Sequence, residues 1–159
     1  MNKLTLWLTV GAPASGKSTW SKKFVEENPS IVRYCPDELR AVFGKNEGDQ
    51  TVSSVAFVAA RSGLNSSLQE GKSVLIDATG MHRKARKQFL EIAEKHGAET
   101  HAVVFEVDRE ELLKRNRKRS EAAGRFVPEF VIDNMLSRYE KPEVPEIISS
   151  LYAFLDLLP

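Results

Sequence analysis

A single cysteine, Cys35, stands in 159 residues, so no disulfide can close within the chain and no set of thiolates can hold a metal. Nothing beside Cys35 marks it as a nucleophile, and a structural role is expected for it. Long apolar runs are missing too. None approaches the roughly 20 residues needed to cross a bilayer, and Met1-Asn2-Lys3 leads into a strand-like run without a small-residue cleavage site. The expectation is a cytoplasmic protein without membrane contact. Charge of one sign is also lacking: 23 Lys and Arg against 22 Asp and Glu leave a net +1, which disfavours a protein that coats long duplexes but is compatible with a short or single-stranded end. The three histidines, His82, His96 and His101, have no metal-ligand spacing and read as surface or structural residues. No Asn-Lys-x-Asp motif is present, which disfavours a GTPase of the usual kind.

What is present is an ordinary globular composition, 42% hydrophobic and 28% charged, with no linker, repeat or low-complexity segment. One domain over residues 1–159 is expected. Lys3 to Val10 is a β-rich apolar run, and the pattern Trp20, Phe24, Val25 predicts a helix from Lys17 to Glu27. Ile31 to Tyr34 reads as a strand and Pro36 to Phe43 as a helix ended by Gly44. Lys45 to Gln50 follows as a polar loop, and Thr51 opens a long helix that Gly71 closes. Ser73 to Ile76 predicts a third strand, Arg83 to His96 a helix, and Ala102 to Val107 a fourth strand. Glu110 to Lys141 reads as two helices broken at Gly124 to Pro128, and the spacing of Ile147, Ile148, Leu151, Phe154, Leu155 and Leu158 favours a closing helix over a final strand. Alternation of strands and helices predicts an α/β fold: three layers, a parallel sheet of four or five strands, and helices on both faces.

Gly11-Ala12-Pro13-Ala14-Ser15-Gly16-Lys17-Ser18 fits the Walker A pattern, placed between a predicted strand and a predicted helix. Average usage would produce this octet in roughly one chain in two hundred of this length, before that context is required. The glycines let backbone N–H groups converge on phosphate oxygens at a helix N-terminus. Gly11, Ala14, Ser15, Gly16, Lys17, Ser18 and Thr19 form the expected nucleotide-binding set. Lys17 would bridge the β- and γ-phosphates of ATP or another nucleoside triphosphate, and Ser18 would ligate Mg²⁺.

Parallel sheets of this kind carry their chemistry outside the carboxyl ends of the strands, where Asp37 and Asp77 fall. Either carboxylate could accept an acceptor hydroxyl's proton or hold a water of the Mg²⁺ shell. Asp37 could equally be a helix N-cap, and Asp77 a turn aspartate. Lys114-Arg115-Asn116-Arg117-Lys118-Arg119 is densely basic, with Arg115 and Arg119 one turn apart. They could reach one ligand together from a mobile lid over about residues 110–128, or Arg115 could simply pair with Glu111 on a solvated face.

Gly11 to Trp20, Pro36-Asp37-Glu38-Leu39-Arg40, Ile76-Asp77-Ala78-Thr79 and Leu113 to Arg119 occur in the order and spacing of the P-loop polynucleotide 5′-kinase family, and the chain resembles the T-even phage members over about residues 3–140. The resemblance implies ATP-dependent phosphorylation of a nucleic acid 5′-hydroxyl. It implies Asp37 as general base, Arg40 as holder of the terminal nucleotide's 3′-phosphate, and Arg119 as a lid arginine bridging donor phosphates and transition state. Arg115 would be a second lid residue near the nucleotide, and Asp77 an acid in the same tunnel on the substrate side. No aspartate-rich phosphatase signature is present, so the resemblance implies kinase chemistry only, and nothing implies a protein partner. Two other readings use the same residues: a P-loop kinase acting on a small metabolite or modified nucleobase, and a nucleotide-binding switch without transfer.

Overall fold

The computed structural model describes residues 2–123, 126–143 and 150–154, the last five as backbone. The elements run β1 (Thr5–Gly11), α1 (Lys17–Glu27), β2 (Val32–Tyr34), α2 (Pro36–Phe43), a 3-10 turn (Gln50–Val52), α3 (Ser53–Gln69), β3 (Val74–Ile76), α4 (Arg83–Lys95), β4 (Glu99–Phe105), α5 (Arg109–Ala123), α6 (Glu129–Ser137) and β5 (Ser150–Phe154). All strand pairings are parallel, in the order β2-β3-β1-β4-β5. Leu6, Val10, Val74, Val103 and Val104 are essentially inaccessible. Such near-continuous burial is what a parallel sheet covered on both faces demands.

Alternation along β1 sorts the two faces. Leu6 and Leu8 join Ala60, Leu64 and Leu68 of α3 and Phe89, Leu90 and Ala93 of α4 in one core. Trp7 points the other way, onto Phe24 of α1 at 4.9 Å between ring centroids and His101 at 4.6 Å, while Trp20 stacks on Phe24 at 4.8 Å. His101 is thus a packing residue.

Two boundaries differ from expectation. β4 begins at Glu99 and ends at Phe105, because Thr5, Leu6 and Trp7 of β1 offer ladder partners to Glu99, Thr100 and His101. Residues 150–154 form an edge strand beside β4, where a closing helix was the favoured reading; their backbone pairs with His101 to Phe105. A short apolar run has no periodicity that separates helix from strand, and an open ladder edge decides it. Residues 144–149 and 155–159 of that expected helix, and Gly124 and Arg125 of the expected break, lie outside the described residues.

Candidate active site

β1 runs straight into the phosphate loop. Gly16 precedes α1 at φ 97°, in the left-handed region that suits glycine, and Ala14 adopts φ 66°, a conformation a non-glycine residue rarely takes. Such a turn curls the loop amides inward, and α1 has no acidic residue in its first turn to offset the positive pole of its dipole. Ser15 is 3% exposed, and its Oγ has no hydrogen-bond partner among the described residues. Buried hydroxyls are ordinarily satisfied, so this one suits an additional acceptor brought by a ligand. Lys17 is buried in the loop and donates to the Ala12 carbonyl at 2.9 Å. Ser18 and Thr19 occupy the first turn of α1. Donor amides, a buried cation, a buried hydroxyl and a helix N-terminus fit a nucleoside triphosphate, with Ser18 able to offer its hydroxyl to Mg²⁺.

The loop is braced from the next strand. Thr9 Oγ1 donates to the Ala78 carbonyl at 2.7 Å and accepts from the Ala78 amide at 3.0 Å, and the Gly11 amide donates to the Thr79 carbonyl at 2.8 Å. Gly80 follows at φ 55°, where a Cβ would lie 2.7 Å from the Thr9 carbonyl oxygen. Arg86 of α4, 1% exposed, donates to the Gly80 carbonyl at 2.6 Å. Sequence reasoning missed Arg86; its only local sign is a basic residue on the same helical face as Phe89, Leu90 and Ala93.

Asp77 is 2% exposed, and its amide donates to the Tyr34 carbonyl at 2.9 Å. Its Oδ2 accepts from Arg33 Nε at 3.1 Å and Nη2 at 2.6 Å, while Arg33 Nη1 donates to Glu38 Oε2 at 2.9 Å. Burial works against the charge on Arg33, but hydrogen bonds to Glu38 and Asp77 outweigh it and hold its pKa above the ordinary guanidinium value. A turn aspartate would be exposed, so Asp77 is instead half of a buried ion pair. Arg33 went unnoticed in the sequence, although a charged residue interrupting the run Ile31-Val32-Arg33-Tyr34 is a sign of a buried partner.

Cys35 is the N-cap of α2 and Pro36 its first residue, which puts Asp37 inside the first turn and removes it from the capping position. β2 lies two strand spacings, about 10 Å, from β1, so α2 with Asp37 begins on the same carboxyl edge of the sheet as the phosphate loop. Asp37 Oδ1 is ion-paired with Arg40 Nη2, and Arg40 Nε donates to the Glu47 carbonyl at 2.7 Å. Asp37, Arg40 and the polar loop 45–49 are therefore one unit.

Leu112 and Leu113 of α5 bury against Ala12 of the phosphate loop, with Met81 and Ile132 in the same cluster. This packing brings the basic helix to the nucleotide side. Arg115 Nε donates to Glu111 Oε1 at 3.0 Å, the i,i+4 pair considered above, and Arg119 Nη2 donates to Asn116 Oδ1 at 3.4 Å. Asn116, 2% exposed, clamps Val127 through both backbone groups, at 2.7 Å to its carbonyl and 3.2 Å from its amide. Arg109 then ties α5 to α6 through Glu129 and Asp133, each at 2.6 Å. No helix among the described residues is long and apolar enough to cross a membrane.

The family model of the AAA domain (AAA_33) matches residues 6–142, from β1 through the end of the α5–α6 unit. The chain belongs to this family. Its fold is the P-loop kinase-like α/β fold, and its similarity to P-loop polynucleotide kinases rests on more than the Walker A loop. A chain in the solved structure of the Pnkp1/Rnl/Hen1 RNA repair complex is similar at 27% identity, with a TM-score of 0.77 over 87% of this chain and 44% of that one. Transcription factor bHLH140 of Arabidopsis thaliana is 30% identical over 148 residues, which are 91% of this chain and 15% of the plant protein. The chain thus spans less than half the length of each of these two. A gluconokinase from Sinorhizobium meliloti aligns over 100% of this chain and 86% of its own, with a TM-score of 0.66; at 17% identity that likeness shows the fold alone.

Proposed function

We propose that this chain transfers the γ-phosphate of ATP, or of another nucleoside triphosphate, to the 5′-hydroxyl of a nucleic acid end, as a cytoplasmic end-repair kinase. The observation that carries the reading is the placement of Asp37. It lies within the first turn of α2, on the sheet edge that also bears the phosphate loop, where a base between the triphosphate and an acceptor would stand. The similarity to a chain of an RNA repair complex supports the acceptor class.

In this reading the amides of Gly16 to Thr19 at the start of α1, the Ser15 hydroxyl and Lys17 hold the triphosphate and neutralise charge on the transferring group. Ser18 would hold Mg²⁺ through its hydroxyl, and the bound ion would supply further charge neutralisation. Asp37 accepts the proton of the acceptor hydroxyl as its oxygen bonds to phosphorus and the bond to the leaving diphosphate breaks. Arg40, already beside Asp37, exchanges its Glu47 carbonyl for the acceptor's phosphate, and Asp77 supports the acceptor side through Arg33, which it holds. Arg115 and Arg119 reach the donor from α5, as part of a lid over about residues 110–128.

Incubation with Mg²⁺, labelled ATP and a 5′-hydroxyl oligonucleotide should yield labelled 5′-phosphate ends; no label at high enzyme would refute the acceptor assignment. The near-neutral charge favours, as second reading, a small-molecule hydroxyl. A panel of nucleosides and sugars run beside the oligonucleotide separates the two.

A further inference from the structure

We infer that Arg33 is a positioning residue that sets the acceptor-side helix against the phosphate loop. The inference rests on the proposed role of Asp37 for its kinetic consequence, though not for its geometry.

Arg33 leaves β2 with a side chain only 12% exposed, and one guanidinium bonds two carboxylates from different elements. Nε and Nη2 grip Asp77 at the end of β3, and Nη1 grips Glu38 in the first turn of α2, the residue next to Asp37. Glu38 Oε1 in turn lies 3.8 Å from Lys22 Nζ of α1. Lys22 stands one helical turn beyond Ser18, so the chain of charges runs from the phosphate-binding helix through α2 to the sheet.

Neutralising buried Asp77 would need only a cation. A planar fork that bonds on two sides also fixes an angle, and that angle sets where the first turn of α2 carries Asp37. Lysine at position 33 keeps the charge but supplies a point in place of a fork. A displacement of α2 by about 1 Å is enough to cost on the order of a hundredfold in a positioned transfer step.

The experiment compares wild type, Arg33→Lys, Glu38→Gln and the double variant. Amide hydrogen exchange over residues 37–43, measured without acceptor, should accelerate in both single variants. The kcat for transfer should fall at least tenfold in Arg33→Lys, by the positioning argument above, with KM for ATP within about twofold. The double variant should be no worse than Arg33→Lys alone, since both cut the same linkage. Unchanged exchange and kcat in Glu38→Gln would overturn the inference, leaving Arg33 as a counter-charge to Asp77. If Arg33→Lys fails to fold, Glu38→Gln decides, because its side chain is 43% exposed and its loss leaves Asp77 paired. A wild type that phosphorylates no acceptor refutes the proposed reaction, while the exchange measurements still judge Arg33.

Discussion

Asp37→Asn isolates the proposed base from everything around it. The substitution keeps the side chain's shape and removes its charge and its capacity to take a proton. Asp37 is not the N-cap of α2, so no capping bond is gained or lost. Its ion pair with Arg40 involves a carboxylate that is 34% exposed, so the loss of that pair should change folding stability by no more than about 1 kcal/mol. Asp37 is also two strands away from the phosphate loop, so ATP affinity should stay within about twofold. A general base contributes about 10²–10⁴ in rate, equivalent to roughly 3–5.5 kcal/mol of transition-state stabilisation. Melting, ATP titration and single-turnover transfer on the same preparation should therefore give three different answers: little change, little change and a large loss. Transfer at more than a tenth of the wild-type rate, with ATP binding intact, would refute Asp37 as base.

Lys17→Met should fold, since it removes a buried charge, yet lose about 10²–10³ in kcat; single-turnover assays with saturating nucleotide check this. Gly80→Ala forces a Cβ into the left-handed region and against the Thr9 carbonyl, a cost of about 2–4 kcal/mol that should lower Tm on the order of 5–15 °C in calorimetry. Asn116→Ala leaves both backbone groups of Val127 without their clamp, and amide exchange of residues 127–131 should rise while that of β1 stays constant. Cys35 is pushed up to about 11 by burial and then by the nearby Asp77 carboxylate, so native protein at pH 8 should resist iodoacetamide that labels it readily in denaturant. The sign follows: the fold favours the neutral thiol, so this contribution is complete below about pH 9, the thiol's ordinary value, and is lost as pH rises through 11, visible as a falling Tm.

The phosphate loop was legible in the residues alone because its chemistry is local: two glycines, a lysine and a serine act through backbone conformation within eight positions, and the strand before it and helix after it carry their own periodicity. The parallel sheet followed from the alternation of elements for the same reason. Whether Asp37 caps α2 or sits inside it was open in the sequence, because either position satisfies the same residue preferences; the start of the helix at Pro36 decided it. The strand at residues 150–154 was decided only by the vacant ladder edge of β4, a property of a distant element. The Arg33–Asp77 pair joins residues 44 positions apart, and the Asn116 clamp spans 11. No periodicity encodes such bonds. They exist because the finished sheet brings strand ends together and shuts out water, and burial then obliges each charge and amide left there to find whichever partner the fold has placed beside it.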